Sequence, residues 1–160
     1  MSTIVLETSI NAPIHRVFDL ARSIDLHKLT ASHTNEEAVA GRTAGLINEY
    51  ETVTWRAKHI GITQHLTSVI TEMEGPFFFE DQMLKGPFKK IRHKHYFWLK
   101  NGKTIMKDVF EFQTPLGWLG KLIDKLYLRK YLERFILQRN IQIKDFAEHE
   151  DKWMQVLNIY

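Results

Sequence analysis

Two histidines and an aspartate, His93, His95 and Asp108, are the residues of this sequence whose types and spacing best suit chemistry. They lie in two runs of alternating polarity on either side of Asn101-Gly102, the strongest sequence signal for a two-residue type I′ hairpin turn. Counting outward from this turn places His95 opposite Asp108, with His93 on the same face. A carboxylate beside a histidine raises the pKa of the imidazole and orients its ring, as a general base or a ligand anchor requires.

Three interpretations of this group are open. The first is a hydrogen-bonded structural group in a partly wet core, since buried polar side chains are usually paired. The second is a catalytic pair in which Asp108 orients His95 as a general base. The third is a metal site, because His93 and His95 project from one face of a strand and Asp108 could supply another ligand. No further ligand spacing supports a metal, so we expect no metal and no cofactor.

The register of residues 91–113 also predicts which face of the hairpin is turned inward. The face that carries the histidines is mostly apolar and aromatic, so it should lie against the interior. Titratable groups on such a face are typical of a sheet that lines a cavity. The predicted pairs on this face are Leu99–Thr104, Phe97–Met106, His95–Asp108, His93–Phe110 and Ile91–Phe112, and those on the other face are Trp98–Ile105, Tyr96–Lys107, Lys94–Val109 and Arg92–Glu111.

A second acid, Asp81, is predicted on the same apolar face. Glu74-Gly75 is interpreted as a two-residue turn between two further strands. Counting from this turn predicts the pairs Ile70–Phe79, Ser68–Asp81 and Leu66–Met83. Asp81 therefore joins the charged residues that the cavity face is expected to carry.

Arg139 is a cation in an unusual position, near the middle of the apolar stripe of a C-terminal helix. A guanidinium on that face needs an anion, and Asp81, Asp108 or the carboxylate of a ligand could supply it. Alternatively, Arg139 extends its aliphatic stem so that the charge reaches the mouth of the cavity.

The composition is that of one ordinary domain spanning residues 1–160. The chain is 44% hydrophobic and 26% charged, with a formal net charge of +3. It contains no cysteine, which excludes disulfides and cysteine-ligated metals. The first residues lack the pattern of a signal peptide, and no apolar run reaches the ~18 residues of a membrane span. We expect a cytoplasmic location.

Hydrophobic periodicity predicts a strand, two short helices and then a long β region. The first strand covers 3–10, and Pro13 suits the first position of the helix that follows. Ser23 is predicted to cap the second helix. Short, turn-like links between the later strands indicate an antiparallel meander, with strands predicted at 47–57, 62–73, 77–84, 91–100 and 103–113.

The C-terminal third is predicted to be helical. The apolar stripe of 118–127 lies nearly opposite the stripe that begins at Leu128, and one straight helix cannot bury both. We therefore predict a short helix, a break near Tyr127-Leu128, and a long helix to about Ala147 or beyond.

The chain resembles the START-like superfamily, also called the Bet v 1-like or SRPBCC group, and its bacterial polyketide cyclase/dehydrase or lipid-transport branch. The opening Ser9-Ile10-Asn11-Ala12-Pro13-Ile14-His15-Arg16-Val17-Phe18, the meander and the long last helix carry this resemblance, which spans nearly the whole chain. It implies an α+β helix-grip fold, in which a curved antiparallel sheet wraps around a long C-terminal helix, with two short helices after the first strand. It also implies a hydrophobic cavity. Members bind lipids, sterols, polyketides, hormones or aromatic metabolites, a minority are enzymes, and they share no catalytic motif.

The leading hypothesis is a non-catalytic protein that binds a hydrophobic or amphipathic small molecule or lipid, for transport or sequestration. Its ligand is expected between the sheet and the C-terminal helix. Aromatic residues would supply apolar contacts and charged residues would hold a polar head. The predicted ligand-binding residues are Phe79, Asp81, His93, His95, Phe97, Asp108, Phe110, Phe112 and Arg139.

Two alternatives belong to other functional classes. One is a cyclase/dehydratase-type enzyme that uses His95 oriented by Asp108. The other is a peripheral protein in weak contact with an anionic membrane, since seven basic residues lie between 121 and 144. No recognition motif accompanies this charge, so nucleic acid is not an expected partner.

Overall fold

The computed structural model describes residues 1–31, 35–59, 61–115 and 127–157. Within these ranges the chain forms one seven-stranded sheet, two short helices near its beginning and two helices near its end. The elements are β1 (Ser2–Ile10), α1 (Ile14–Ala21), α2 (Ile24–Thr30), β2 (Glu37–Gly41), β3 (Thr52–His59), β4 (Ile62–Glu74), β5 (Phe78–Lys85), β6 (Lys90–Lys100), β7 (Lys103–Gln113), α3 (Arg129–Glu148) and α4 (Glu150–Leu157).

The strands are arranged in the order β1-β7-β6-β5-β4-β3-β2, and every neighbouring pair is antiparallel. Strands β2 to β7 thus form a meander, because each pairs with the next along the chain. The first strand instead joins the far edge of β7, with Ser2 opposite Phe112 and Ile10 opposite Thr104. The sheet remains open, since β1 and β2 each have one free edge within the described residues.

The helices cover one face of this sheet. Phe18 of α1 packs edge-on against Phe79 and Phe97, with ring centroids 5.7 and 5.4 Å apart. Helix α3 packs against β1, α1, α2 and α4. Because an antiparallel sheet with one apolar face must bury that face, these helices provide the second layer of the fold.

The second half of α3 is tied to the beginning of the chain by hydrogen bonds. Lys144 Nζ donates to the Ser9 carbonyl at 2.6 Å, and Glu148 Oε1 accepts from the Asn11 amide at 2.7 Å. These contacts fix the helix over β1 and the link to α1. They therefore define which side chains of α3 face the sheet.

The predicted helix-grip architecture is confirmed, and so is the register of the hairpin at Asn101-Gly102. Every predicted pair from Leu99–Thr104 to Ile91–Phe112 is present, on both faces. Asn101 and Gly102 both have positive φ, at 53° and 74°, as a type I′ turn requires. Ser23 caps α2 as predicted, since its Oγ accepts from the Leu26 amide at 3.1 Å.

Several predicted boundaries were wrong. The third strand begins at Thr52 rather than at residue 47, because the Glu51 amide donates to the Asn48 carbonyl at 3.1 Å in a turn that includes Tyr50 with φ 65°. A short strand, β2, was not predicted. Pro13 lies at the N-cap of α1, one residue before the predicted position. The short helix predicted over 118–127 lies outside the described residues except for Tyr127, so the break near Tyr127-Leu128 stays a prediction. The long helix to about Ala147 is confirmed.

The register predicted from Glu74-Gly75 was also wrong. The loop contains three residues, 75–77, so that Glu74 pairs with Phe78. A bulge between Ile70 and Glu72 then shifts the register. The observed partners are Ile70–Asp81, Ser68–Met83 and Met73–Phe79. Asp81 nevertheless faces the interior, because its side chain lines the cavity described next.

Candidate functional site

A cavity of about 420 Å³ lies between the sheet and α3. Its walls are mostly apolar, as is usual for sites that bind small organic molecules. Strands β3 to β7 and their links contribute Val53, Trp55, Ala57, Leu66, Ile70, Phe79, Pro87, Phe88, Ile91 and Phe110, and the region of α3 contributes Leu128, Tyr131, Leu132, Phe135 and Ile136.

Asp108 and the two histidines meet on the inner face of the sheet. Asp108 Oδ1 lies 2.9 Å from His93 Nε2 with the alignment of a hydrogen bond. The same oxygen lies 2.8 Å from His95 Nδ1 but without that alignment, so this contact is electrostatic. The two imidazole rings pack with centroids 3.8 Å apart. One buried carboxylate oxygen thus holds both rings.

Asp81 of β5 faces the opposite edges of the two imidazoles. Its Oδ2 lies 3.3 Å from His95 Nε2 and 4.0 Å from His93 Nδ1. The Asp81 side chain is 24% exposed, compared with 2% for Asp108. Asp81 therefore lies on the cavity side of the histidines, and Asp108 lies behind them.

Helix α3 adds a cation and an amide. Asn140 is fully buried and donates from Nδ2 to Asp108 Oδ2 at 2.6 Å. Arg139 donates from Nη2 to the Ala21 carbonyl at 2.6 Å, and its Nη1 lies 4.0 Å from Asp108 Oδ1. That Nη1 is buried without a hydrogen-bond partner. Asp81, His93, His95, Asp108, Arg139 and Asn140 are called the buried cluster below.

The charges of the buried cluster shift the pKa values of the two histidines in opposite directions. Burial and the charge of His95 lower the pKa of His93 below its usual value of 6.5. Burial also acts to lower the pKa of His95, but Asp108 and Asp81 outweigh it and raise that pKa. A single proton on the pair is therefore assigned to His95 rather than to His93.

Both aspartates remain ionised in this setting. Burial by itself raises the pKa of a carboxyl group, but the contacts with His93 and His95 outweigh it. The pKa of Asp108 is consequently held well below its usual value of 3.8. The pKa of Asp81 is lowered in the same way, against its own burial, by the hydrogen bond with His95 and the charge of His93.

The predicted ligand-binding residues fall into two groups. Phe79, Asp81, His93, Phe110 and Arg139 line the cavity. The other four predicted residues are buried behind the cavity wall or in the core. They are His95, Phe97, Asp108 and Phe112. Five predicted residues are thus placed where they can touch a ligand, whereas the other four do not line the cavity.

A second polar group of the cavity was not predicted. His27 Nε2 and Glu36 Oε2 lie 2.7 Å apart, and the His27 ring stacks on Trp55 with centroids 4.2 Å apart. All three residues line the cavity, as does Tyr131, whose pKa is raised by burial and by the charge of Glu36. The helical position of His27 was visible in the sequence, but nothing there links it to Glu36.

Asn140 was missed for a different reason. It lies four residues after Ile136 and three before Ile143, both buried, so it occupies the apolar stripe of α3. A polar residue at such a position signals a buried hydrogen bond. The same reasoning that identified Arg139 could have found Asn140.

The basic face predicted for the C-terminal helix is smaller in the structure. Arg139 and Lys144 bond to the protein interior and to β1, respectively. Lys121 and Lys125 lie outside the described residues, while Arg129, Lys130 and Arg134 are exposed. Among the helices that the structure describes, none is both long enough and apolar enough to cross a membrane.

No protein-family model matches this chain, and a search of curated proteins finds no match. Solved structures do match. A protein of Thermus thermophilus, TTHA0849, has a TM-score of 0.69 at 17% identity, over 89% of this chain and 97% of that one. Major latex-like protein 151 of Panax ginseng has a TM-score of 0.67 at 13% identity, with coverage of 91% and 97%. Ara h 8.0201 has a TM-score of 0.64 at 16% identity, also with coverage of 91% and 97%.

These identities make the similarity one of fold. Ara h 8.0201 and the ginseng protein are Bet v 1-like, with the open sheet, early short helices and long last helix seen here. This chain has the helix-grip fold of Bet v 1-like proteins.

Proposed function

We propose that this protein binds a hydrophobic or amphipathic small molecule in the cavity between the sheet and α3. The observation that carries the proposal is the cavity itself. Its volume of about 420 Å³ and its largely apolar wall are those of a site for a small organic ligand. The wall combines aromatic surfaces such as Phe79 and Phe110 with a few polar groups, which would fix the orientation of the ligand.

The polar head of the ligand is proposed to be anionic. Arg139 lines the cavity, and its Nη1 has no hydrogen-bond partner although it is buried. The nearest acidic oxygen, on Asp108, lies 4.0 Å away and already contacts two histidines. A carboxylate or similar anion on the ligand would complete the hydrogen bonding of the guanidinium.

Binding, in transport or sequestration, is proposed in preference to turnover. The cyclase/dehydratase hypothesis makes His95 the general base, and a general base must be within hydrogen-bond reach of the substrate proton. His95 is 1% exposed and lies behind the cavity wall. Its Nε2 meets Asp81, so His95 could act on a substrate only through that carboxylate.

The resemblance to the bacterial polyketide cyclase/dehydrase or lipid-transport branch is consistent with an apolar ligand.

Docking on an anionic membrane is a separate proposal that depends on the exposed Arg129, Lys130 and Arg134. It requires that replacing these three residues by glutamine abolishes association with vesicles containing phosphatidylserine. Unchanged association would exclude this helix as the docking surface.

A cavity-filling substitution tests the binding proposal. Ala57 faces the cavity from β3, whereas the next residue, Lys58, is exposed. Ala57→Phe should fill part of the cavity and weaken binding of the fluorescent probe 1-anilinonaphthalene-8-sulfonate about tenfold, the equivalent of ~1.4 kcal/mol. Lys58→Phe adds the same ring on the outer face and should leave binding unchanged.

Native mass spectrometry of the purified protein provides the second readout. We expect a bound small molecule in the wild type and in Lys58→Phe, and a reduced amount in Ala57→Phe. Circular dichroism and urea unfolding establish that each variant is folded. Undiminished probe binding by folded Ala57→Phe would contradict the proposed location of the ligand.

A further inference from the structure

The inner face of the sheet presents three possible metal ligands with a supporting carboxylate behind them. Asp81, His93 and His95 each offer one ligand atom, and the three atoms lie within 4.8 Å of one another. Asp81 Oδ2 is 3.3 Å from His95 Nε2 and 4.0 Å from His93 Nδ1. Ligand atoms bound about 2.1 Å from one tetrahedral ion are separated by about 3.4 Å, so small side-chain rotations suffice to close this set.

From this geometry we propose that Asp81, His93 and His95 bind one divalent first-row transition metal ion at the wall of the cavity. Two imidazoles and one carboxylate are donors that suit Zn²⁺, Fe²⁺ or Co²⁺. This donor set differs from the one considered from the sequence, in which Asp108 was the third ligand. The structure places Asp108 on the far side of both rings.

Asp108 has the position of an orienting group rather than a ligand. Its Oδ1 contacts His93 Nε2 at 2.9 Å and His95 Nδ1 at 2.8 Å, which are the nitrogens turned away from Asp81. Metal-binding histidines commonly use their second nitrogen in this way, because a carboxylate there fixes the ring and increases its basicity. Asn140 in turn holds the other oxygen of Asp108 at 2.6 Å.

The site is accessible from the cavity. Asp81 and His93 belong to the cavity wall, so an ion held there would retain coordination positions that face the ligand space. Three protein ligands and an open position are typical of metal sites that bind a further molecule. The site can therefore hold an anionic or chelating group of a small molecule.

The nearby Arg139 is compatible with a cation. Asp81 and Asp108 contribute two negative charges, and Arg139 contributes one positive charge. Metal binding displaces the proton that His95 otherwise holds, which leaves one negative charge from these three residues beside neutral imidazoles. A divalent ion changes this balance to one positive charge. An anion in the cavity can then contact both the ion and the unpartnered Nη1 of Arg139.

Metal titration tests the proposal without any organic ligand. Tag-free protein is treated with a chelator and titrated with Zn²⁺ by calorimetry and with Co²⁺ by visible absorption. The wild type should bind one ion per chain and give a Co²⁺ spectrum stronger than that of the aqueous ion. Asp81→Asn and His93→Gln should abolish saturable binding, and Asp108→Asn should weaken it about 10- to 100-fold.

His149→Gln is the matched control. His149 also pairs with an aspartate, since its Nδ1 lies 3.2 Å from Asp145 Oδ1, but it is on the surface. This variant should bind Zn²⁺ as the wild type does. Cooperative urea unfolding establishes that each variant is folded. If His93→Gln does not fold, Asp81→Asn still tests the proposal, because Asp81 is partly exposed and its replacement disturbs the interior less.

Absence of saturable Zn²⁺ binding by the wild type would overturn the proposal, and so would equal binding by folded Asp81→Asn. The proposed binding of small molecules is measured separately, with chelator present. If Zn²⁺ does not bind but the probe does, the metal proposal fails and the small-molecule proposal stands. If the probe does not bind but Zn²⁺ does, the reverse holds.

Discussion

The two polar groups of the cavity are built in different ways. The buried cluster draws Asp81, His93 and Asp108 from three neighbouring strands whose register is set by backbone hydrogen bonds. The second group joins His27 of α2 to Glu36, which directly precedes β2, and the His27 side chain is 23% exposed. The first group is therefore fixed in place by the sheet, whereas the second depends on how a helix and a connecting segment pack together.

This difference separates two tasks of a binding site. A group held by strands keeps its geometry whether or not a ligand is present, as precise recognition of a polar head requires. A group held by a connecting segment adjusts at smaller cost, because such segments have fewer buried contacts. We infer that the buried cluster selects the chemistry of the ligand and that His27 and Glu36 adjust to its shape.

The largest expected difference concerns stability. Asp108→Asn removes the charge that compensates His95 and Arg139 in the interior, and breaking a buried ion pair in this way costs about 3–5 kcal/mol. Glu36→Gln makes the same change in the pair with His27, whose side chains are 8% and 23% exposed, and a smaller cost is expected because solvent still reaches His27. Urea unfolding at pH 7 measures both. Equal costs would show that the two groups are held equally firmly.

The next largest effect concerns binding of an anion. Arg139→Gln removes the unpartnered guanidinium and should raise the dissociation constant of 1-anilinonaphthalene-8-sulfonate at least about tenfold, since hydrogen bonds to charged groups contribute about 1.5–3 kcal/mol. His27→Gln should change it less than about threefold, which corresponds to under ~0.7 kcal/mol. Fluorescence titration provides the comparison. A larger effect of His27→Gln would place the anionic head beside His27 instead of Arg139.

The smallest effect is a pH dependence that comes from the two histidines of the buried cluster. The pKa of His93 is lowered in the folded state, so the unfolded state binds more protons and stability rises with pH toward 6.5. The pKa of His95 is raised, so its contribution is present below 6.5 and is lost as pH rises through the folded-state value. Together they give a maximum near pH 6.5, with slopes of at most about 1.4 kcal/mol per pH unit.

Single substitutions separate the two slopes. His95→Gln should remove the decrease in stability above pH 6.5, and His93→Gln should remove the increase below it. Urea unfolding between pH 5 and pH 8 measures both, and each variant is the control for the other. Identical profiles for the two variants would contradict the assignment of the proton to His95.

Much of the geometry of the buried cluster was predictable, because one turn determines which residues of two strands face each other. Asn101-Gly102 fixes the pairing of β6 with β7, and this register alone brings His95 to Asp108. The neighbouring hairpin was not predictable in the same way. Its loop has one more residue than Glu74-Gly75 indicated, and the bulge near Ile70 has no clear sequence signal. Local turn chemistry therefore predicts one hairpin, whereas the other depends on a loop length and a bulge that the turn signal did not give.

The contacts between distant segments were the hardest to predict. Periodicity places Arg139 on the inner face of α3, but it does not say that the guanidinium reaches the carbonyl of Ala21. The pairing of His27 with Glu36 depends on the path of the chain between α2 and β2. Such contacts depend on how elements pack in three dimensions, which hydrophobic patterns do not specify.

The position of β1 at the edge of β7 has a consequence for how the protein folds. Ser2 pairs with Phe112 and Leu6 with Asp108, so β1 can pair only after β7 has been added to the sheet. Pairings this far apart in sequence raise the contact order and slow folding, because a long loop must close before any contact compensates its lost entropy. We expect the local hairpins β4 to β7 to nucleate the sheet. Strand β1 would then be the last to dock, and it would complete the backbone support of Asp108.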